Sequence, residues 1–277
     1  MDWMNALIMG MVQGLAEYLP ISSSGHLEIC RELLGLDLSG AESLEFDVML
    51  HVATVLSTIV VLWREFVPLC TSFFTFKRDK NFDYVIKILI SCIPVAVVGL
   101  FFKETIEGFF GGGLGIVGIC LCVTAALLTF SYYFRTRKAL SAPGKSYAGR
   151  DITKLDAFII GCSQAVAVLP GLSRSGTTIA TGILIGDRRE QVAQFSFFMV
   201  IIPILGEALL DVKKIFEGSA AAGASICFIP MLVGFLASFI VGCIACKWML
   251  EIVKRGKLVW FAVYCLIVGV ICIVTSF

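Results

Sequence analysis

Gln13-Gly-Leu-Ala-Glu17-Tyr-Leu-Pro20-Ile-Ser22-Ser23-Ser24-Gly25-His26 interrupts an apolar run that begins almost at Met1. From Glu17 to His26 it gathers a carboxylate, three successive hydroxyls, a glycine and an imidazole. A partner stretch begins 151 residues later: Gln164-Ala-Val-Ala-Val-Leu-Pro170-Gly171-Leu-Ser173-Arg174-Ser175-Gly176-Thr177. Laid together without a gap, the two match Gly10 with Gly161, Gln13 with Gln164, Ala16 with Ala167, Ser22 with Ser173, Ser24 with Ser175 and Gly25 with Gly176. This is an internal repeat, in which each half opens on a polar break inside an oily segment.

The surrounding composition explains why such a break needs a reason. The chain has 277 residues, 58% of them hydrophobic and 16% charged, and a mean hydropathy of +0.93, outside the balance of a soluble domain. It reads as an integral membrane protein. A net charge of +1 without a basic stripe argues against nucleic acid as a partner. The eleven cysteines lie singly in apolar runs (Cys92, Cys120, Cys122, Cys243, Cys246, Cys272) and read as buried free thiols. No Ala-x-Ala site follows the first apolar run, so it is expected to stay as a helix.

Crossing a bilayer core takes about 20 apolar residues. By that measure full spans are expected at about 46–64, 83–102, 113–134, 191–210, 224–246 and 257–276. Two shorter pairs, 3–19 with 22–35 and 154–169 with 173–186, are broken by Pro20 and by Pro170-Gly171. They read as re-entrant helical hairpins whose tips point inward, because irregular backbone at membrane depth must be buried in protein or line a wet cavity. The expected fold is an all-α polytopic membrane protein: an inverted repeat with about six transmembrane helices and two re-entrant hairpins. Residues 1–140 form the first half (hairpin 3–35 plus three spans) and 150–277 the second (hairpin 154–186 plus three spans), within one membrane domain.

Lys and Arg collect in 64–82, 135–154 and 247–257, which are assigned to the cytoplasmic side. Loops 103–112 and 211–223 then lie outside, and the two hairpins enter from opposite faces. Broken helices of inverted repeats meet at a midplane site in many transporters. Each tip here starts a new helix with Ser at its cap, so unpaired N–H groups and positive dipole ends converge on an anion pocket.

Within that pocket Arg174 is the costliest residue to bury and its planar fork suits a phosphate or carboxylate. Glu17 lies four residues after Gln13 on the same helix face; it is a base, a metal ligand or the partner of Arg174. His26 can move protons near neutral pH. One of Ser22, Ser23 and Ser24 caps the helix and another is a candidate nucleophile. Asp47 and His51, four apart near the end of a span, fit a structural hydrogen bond and a site role equally. Gly10 with Gly14 and Gly182 with Gly186 are small-xxx-small pairs suited to close helix packing.

These two motifs, Gln-x-x-x-Glu with Pro-Ile-Ser-Ser-Ser-Gly-His at 13–26 and Pro-Gly-Leu-Ser-Arg-Ser-Gly-Thr-Thr at 170–178, resemble those of the undecaprenyl-diphosphate phosphatase (bacitracin-resistance) family of bacterial inner membranes. The resemblance extends over nearly the whole chain and implies hydrolysis of an isoprenoid lipid diphosphate to the monophosphate, which recycles the lipid carrier of cell-wall synthesis. It implies a multi-pass protein of the inner membrane, surrounded by membrane lipid, with a divalent cation (Mg or Ca) and a homodimer. It puts catalytic roles on Glu17, Ser23, His26 and Arg174 and metal binding on Glu17 and Gln13. Substrate binding falls on Ser22, Ser24, Gly25, Ser173, Ser175, Gly176 and Thr178. Many family members carry Glu where this chain has Gln13, so phosphate oxygens and water are expected to complete the metal's shell. Attack by Ser23 and attack by a metal-held water both fit the motif. The reading of a different class is an inverted-repeat transporter of a small anion or of the lipid carrier.

Overall fold

The computed structural model describes residues 1–36, 40–102, 113–141, 149–216 and 228–276, and among them it is helical throughout, apart from a single isolated bridge between Arg150 and Asp187. The first hairpin is α1 (Trp3–Ala16) and α2 (Ser23–Leu34); the second is α7 (Lys154–Val166) and α8 (Arg174–Ile185). Asp2 caps α1, and a Thr153–Asp156 capping box starts α7. Each break follows the same logic: Pro20 or Pro170 cannot continue the helix, and a serine restarts it. Ser22 and Ser173 accept the N–H of Gly25 and Gly176 at 3.3 and 3.1 Å.

The longer elements are α3 (Gly40–Val61), α5 (Lys80–Phe101), α6 (Gly113–Ser141), α11 (Phe228–Arg255) and α12 (Val259–Thr275), with α4 (Trp63–Phe74), α9 (Arg189–Met199) and α10 (Ile201–Phe216) between them. Among the described residues, four stretches are long and apolar enough to cross a bilayer core: Lys80–Phe101, Gly113–Phe134, Arg189–Leu210 and Phe228–Arg255. At 17 residues, α12 sits at the short end of what can cross. The chain is thus an all-α, multi-pass membrane protein. The loops expected at 103–112 and 211–223 fall wholly or partly outside the described residues.

Three features differ from the reading of the sequence. The span expected at 46–64 ends at Val61, and the chain turns by 92° into α4, where a loop was expected. Arg64, Glu65 and Pro68 look like loop residues, yet the segment is amphipathic: Leu69 and Ser72 are buried while Trp63 and Phe74 stay exposed. The span expected at 191–210 is broken at Val200. Pro203 has no N–H to give the Met199 carbonyl, which instead receives the Cys92 thiol at 3.6 Å. The cysteines described are all free, but only Cys92, Cys246, Cys265 and Cys272 are buried, and Cys162 is exposed.

Close contacts fix the direction of both hairpins. A Cβ on Gly10 would lie 2.3 Å from the Gly234 carbonyl oxygen, and one on Gly14 would lie 2.5 Å from that of Ser238, so α1 and α11 run parallel. Lys154 pairs with Asp83 at 3.4 Å and Gly161 abuts Ser91, so α7 and α5 also run parallel. The start of α5 and the end of α11 share one face, through Lys154–Asp83, Arg188–Asp151 at 2.6 Å and Lys254–Glu190 at 3.3 Å. These pairs draw on two of the three cation-rich stretches, 135–154 and 247–257, and on Asp83, which directly follows the third. Because α11 runs toward that face and α5 away from it, α1 and α7 enter the protein from opposite ends.

The tips meet in the middle. A Cβ on Gly25 would lie 3.1 Å from the Gly171 Cα, and one on Gly176 would lie 3.1 Å from the Pro20 Cβ. Gly171 has φ +86°, and a side chain there would strike the Val117 backbone at 2.7 Å, so glycine is required on both counts. Replacing Gly10 with Ala is expected to cost about 1–3 kcal/mol, because the new methyl meets backbone that cannot yield. Gly99→Ala, with nothing within 4 Å, is expected to leave stability unchanged or slightly raised. Thermal unfolding of the two variants in detergent micelles compares them.

Candidate active site

Glu17 is the last residue before the first tip unwinds, and its side chain is 9% exposed. A carboxylate held that far from water needs partners, and four side chains provide them. Gln13 Nε2 donates to Oε2 at 2.9 Å, and Ser23 Oγ donates to the same oxygen at 2.8 Å. His51 Nε2 approaches Oε2 at 3.8 Å, and Arg174 Nη1 lies 3.7 Å from Oε1. Gln13 and Glu17 come from one helix, Ser23 from the restarted helix, His51 from α3, and Arg174 from the tip of the other half.

The backbone around this cluster is strained at one point. Ser22 has φ +71°, a conformation rare for a residue with a side chain, whereas its counterpart Ser173 has an ordinary φ of −65°. The strained cap aims Ser23 back at Glu17 while Ser22 Oγ is occupied with the Gly25 N–H and lies 3.4 Å from Ser24 Oγ. At the second tip Ser175 Oγ donates to the Leu19 carbonyl at 3.2 Å, tying one tip to the other. The Ser173 N–H donates to Thr124 Oγ1 at 3.1 Å, and Thr178 Oγ1 meets Ser196 Oγ at 2.5 Å.

His26 lies apart from the cluster. Its Nδ1–H donates to the Ser22 carbonyl at 2.9 Å, and Nε2 faces the Tyr264 hydroxyl at 2.8 Å, with the two rings stacked 5.6 Å apart. Among the described residues no hydrogen bond joins it to Glu17 or Ser23. The carbonyl fixes the neutral tautomer with Nε2 as the acceptor.

Sequence reasoning left three contributors unassigned. His51, read as either structural or functional, stands beside Glu17 with its Nδ1–H on the Asp47 carbonyl at 2.7 Å. Asp47 itself pairs with Arg31. Tyr264 and Ser196 sit in spans whose pattern carries no hint of the site. Tyr18, between Glu17 and the tip, donates its hydroxyl to the Thr54 carbonyl at 2.6 Å and also meets Ser57 and Thr58, which locks α3 against the hairpin.

Two buried atoms without a hydrogen-bond partner lie in this cluster: Gln13 Oε1 and Arg174 Nη1. The first is a neutral oxygen beside a carboxylate, the second a cationic N–H beside a cavity of about 20 Å³ whose polar lining, Glu17, Arg174, Ser175 and Ser196 among others, shares the wall with Val55, Phe197, Val200 and Ile204. Room for about one water-sized group, between a carboxylate and a guanidinium, suits an oxygen of a phosphate or an attacking water. No group of three or more His, Cys, Asp or Glu forms a metal cage among the described residues. The donors Gln13 Oε1 and Glu17 fit instead a hard cation that takes the rest of its shell from phosphate and water.

A family model described as Bacitracin resistance protein BacA matches residues 6–271. The undecaprenyl-diphosphatase of Bacteroides fragilis is 55% identical over 276 residues, covering 100% of this chain and 99% of that protein. That of Parabacteroides distasonis is 54% identical, with 99% and 98% covered. The more distant undecaprenyl-diphosphatase of Oceanobacillus iheyensis is 36% identical over 96% of this chain and 94% of its own.

Tyr18→Phe tests the support behind Glu17 without touching the cluster. It removes a donor and leaves the buried Thr54 carbonyl with one fewer bond, at an expected cost of about 1–3 kcal/mol. Unfolding in micelles, compared with a surface control such as Tyr133→Phe, measures it.

Proposed function

Because the chain belongs to the bacitracin resistance family, we infer that it hydrolyses undecaprenyl diphosphate to undecaprenyl phosphate and inorganic phosphate, a hydrolase activity that recycles the lipid carrier of cell-wall synthesis. The observation that carries the mechanism is the Ser23 Oγ–Glu17 Oε2 hydrogen bond of 2.8 Å, with Arg174 on the other oxygen. In this reading the isoprenoid tail stays in the bilayer and the diphosphate enters between the tips. Arg174 takes phosphate oxygens with two N–H groups, and the free N–H groups of the two restarted helices add positive potential.

Ser23 then attacks the terminal phosphorus as its proton passes to Glu17. The P–O bond to the leaving undecaprenyl phosphate breaks, and a phosphoserine remains. Water attacks that phosphoserine, its proton goes to a base, the Oγ–P bond breaks, and Ser23 Oγ takes back the proton held by Glu17 as phosphate leaves. Glu17 serves the first step, being within reach of the hydroxyl. His26 Nε2, held as the acceptor nitrogen by the Nδ1–H bond to the Ser22 carbonyl, is assigned to the second, and His51 keeps Glu17 oriented. Ser22, Ser24, Ser173, Ser175, Thr178 and the backbone at Gly25 and Gly176 line the approach. Gln13 Oε1 and Glu17 would hold the divalent cation, Mg or Ca, which supplies charge neutralisation on the phosphates.

The proposal extends to location. The face that joins Lys154, Arg188 and Lys254 is the cytoplasmic face of the inner membrane, as the lysine and arginine bias of 64–82, 135–154 and 247–257 supports. Residues 1–140 and 150–277 are inverted repeats, which the opposed directions of α1 and α7 support. A homodimer is carried along from the family resemblance.

Phosphate release from undecaprenyl diphosphate by purified protein tests the activity, and its absence with every divalent cation would favour the transporter. Chelation is expected to abolish turnover and added Mg or Ca to restore it. Arg174→Ala is expected to lose more than about a hundredfold in rate, and Arg174→Lys to recover little of it. For Ser23→Ala a fall of several orders of magnitude is expected, with phosphorylated Ser23 trapped in wild-type enzyme quenched during turnover. If a tenth or more of the activity survives in Ser23→Ala, water is the attacking group.

A further inference from the structure

The end of α11 and the start of α12 enclose a second concavity, of about 510 Å³, that shares no residue with the Glu17–Arg174 cluster. We propose that it binds an anionic two-chain phospholipid at the cation-rich face. Its walls are Trp248, Ile252, Trp260 and Phe261, and its charged rim is Glu251, Arg255 and Lys257. The volume lies within the range of small-molecule sites.

Depth comes first. At 28 residues, α11 is about 42 Å long at about 1.5 Å per residue, against a hydrocarbon core of about 30 Å. Its last turns therefore stand at headgroup level, on the face fixed by Lys254–Glu190. Trp248 and Trp260 are 53% and 70% exposed there, the position of amphipathic rings at a membrane interface.

Charge comes next. Glu251 is neutralised by Arg255 at 2.8 Å, which leaves the rim with the charge of Lys257, an exposed residue with no ion-pair partner among those described. One phosphodiester would balance it. The backbone adds to this: the chain turns at Gly256 with φ +71°, and Leu258, which precedes α12, gives its first turn no side-chain cap. The first N–H groups of a 17-residue helix thus lie next to Lys257. Phosphate on Lys257 and the free N–H groups, with acyl chains along Trp248, Ile252, Trp260 and Phe261, uses the apolar walls and the one uncompensated cation of the notch. A neutral headgroup would leave the cation unanswered.

The test uses full-length protein carrying Trp3→Phe and Trp63→Phe, so that Trp248 and Trp260 report alone. Its fluorescence is read in micelles containing dibrominated phosphatidylglycerol or dibrominated phosphatidylcholine at equal mole fractions. A preference for phosphatidylglycerol on the order of fivefold is expected, given one uncompensated cation at headgroup depth, and Lys257→Gln is expected to abolish it. Equal quenching by the two lipids would mean annular lipid only and would overturn the proposal. So would a preference that survives Lys257→Gln, or one that inorganic phosphate removes at matched ionic strength. None of these residues touches the Glu17 cluster, so a failure here leaves the phosphatase reading standing.

Discussion

A carboxylate 9% exposed in the middle of a membrane protein is the constraint on which the rest depends. Removing an ionised group from water is costly unless opposite charge and hydrogen bonds replace the water. Here the replacements come from four directions, and each requires its own piece of the fold. Ser23 requires a helix broken and restarted within six residues, and Gln13 requires an intact turn before the break. His51 requires α3 to pass the hairpin at the right height, which the Tyr18 hydroxyl on Thr54, Ser57 and Thr58 enforces. Arg174 requires the other half of the chain to deliver its tip from the opposite side. The guanidinium and the carboxylate meet at 3.7 Å, beyond hydrogen-bond range, so Nη1 has an ion-pair contact but no hydrogen-bond partner. They are arranged so that an anion's oxygens improve the guanidinium's situation.

The hairpins, their breaks and their capping serines were legible because each rests on local chemistry: proline ends a helix, serine starts one, and polarity inside an oily run has to be accounted for. The meeting of the tips followed from the repeat. What the sequence did not disclose depends on register between elements distant in the chain. His51 carries no motif, and its relation to Glu17 is set by how α3 rotates against α1. Tyr264 is one aromatic among many in α12, and only packing puts its hydroxyl against His26. The 92° turn after Val61 was hidden because Arg64, Glu65 and Pro68 resemble a loop, although the same residues tolerate an amphipathic helix.

Direction, which sequence alone assigned from loop charge, has an independent physical basis in the glycines. Gly10 and Gly14 admit the backbone of α11, and Gly161 admits that of α5. In lipid, where apolar surface gains little by leaving the acyl chains, close backbone approach is a main source of helix association. The small residues therefore do more than permit packing. They choose which neighbour each hairpin lies along, and so from which face its tip arrives.

The repeat also explains how one half came to hold the acid and the other the cation. At the shared offset of 151 residues, Gln13 corresponds to Gln164, Glu17 to Val168 and Ser23 to Arg174. The buried amide of Gln13 has a carboxylate to bond; that of Gln164 faces no such group, and both its nitrogen and its oxygen lack hydrogen-bond partners. The polar motif is thus repeated in sequence while its charged residues are not. Two equivalent positions that open a helix, each aimed at the midplane, carry a hydroxyl on one side and a guanidinium on the other, and both converge on the single Glu17. Carboxylates in both halves would repel at the centre, and arginines in both would leave two cations there without a carboxylate. Matched positions thus pair a charged residue with a neutral one, Glu17 with Val168 and Arg174 with Ser23, and the two charges meet only because both tips reach the same place.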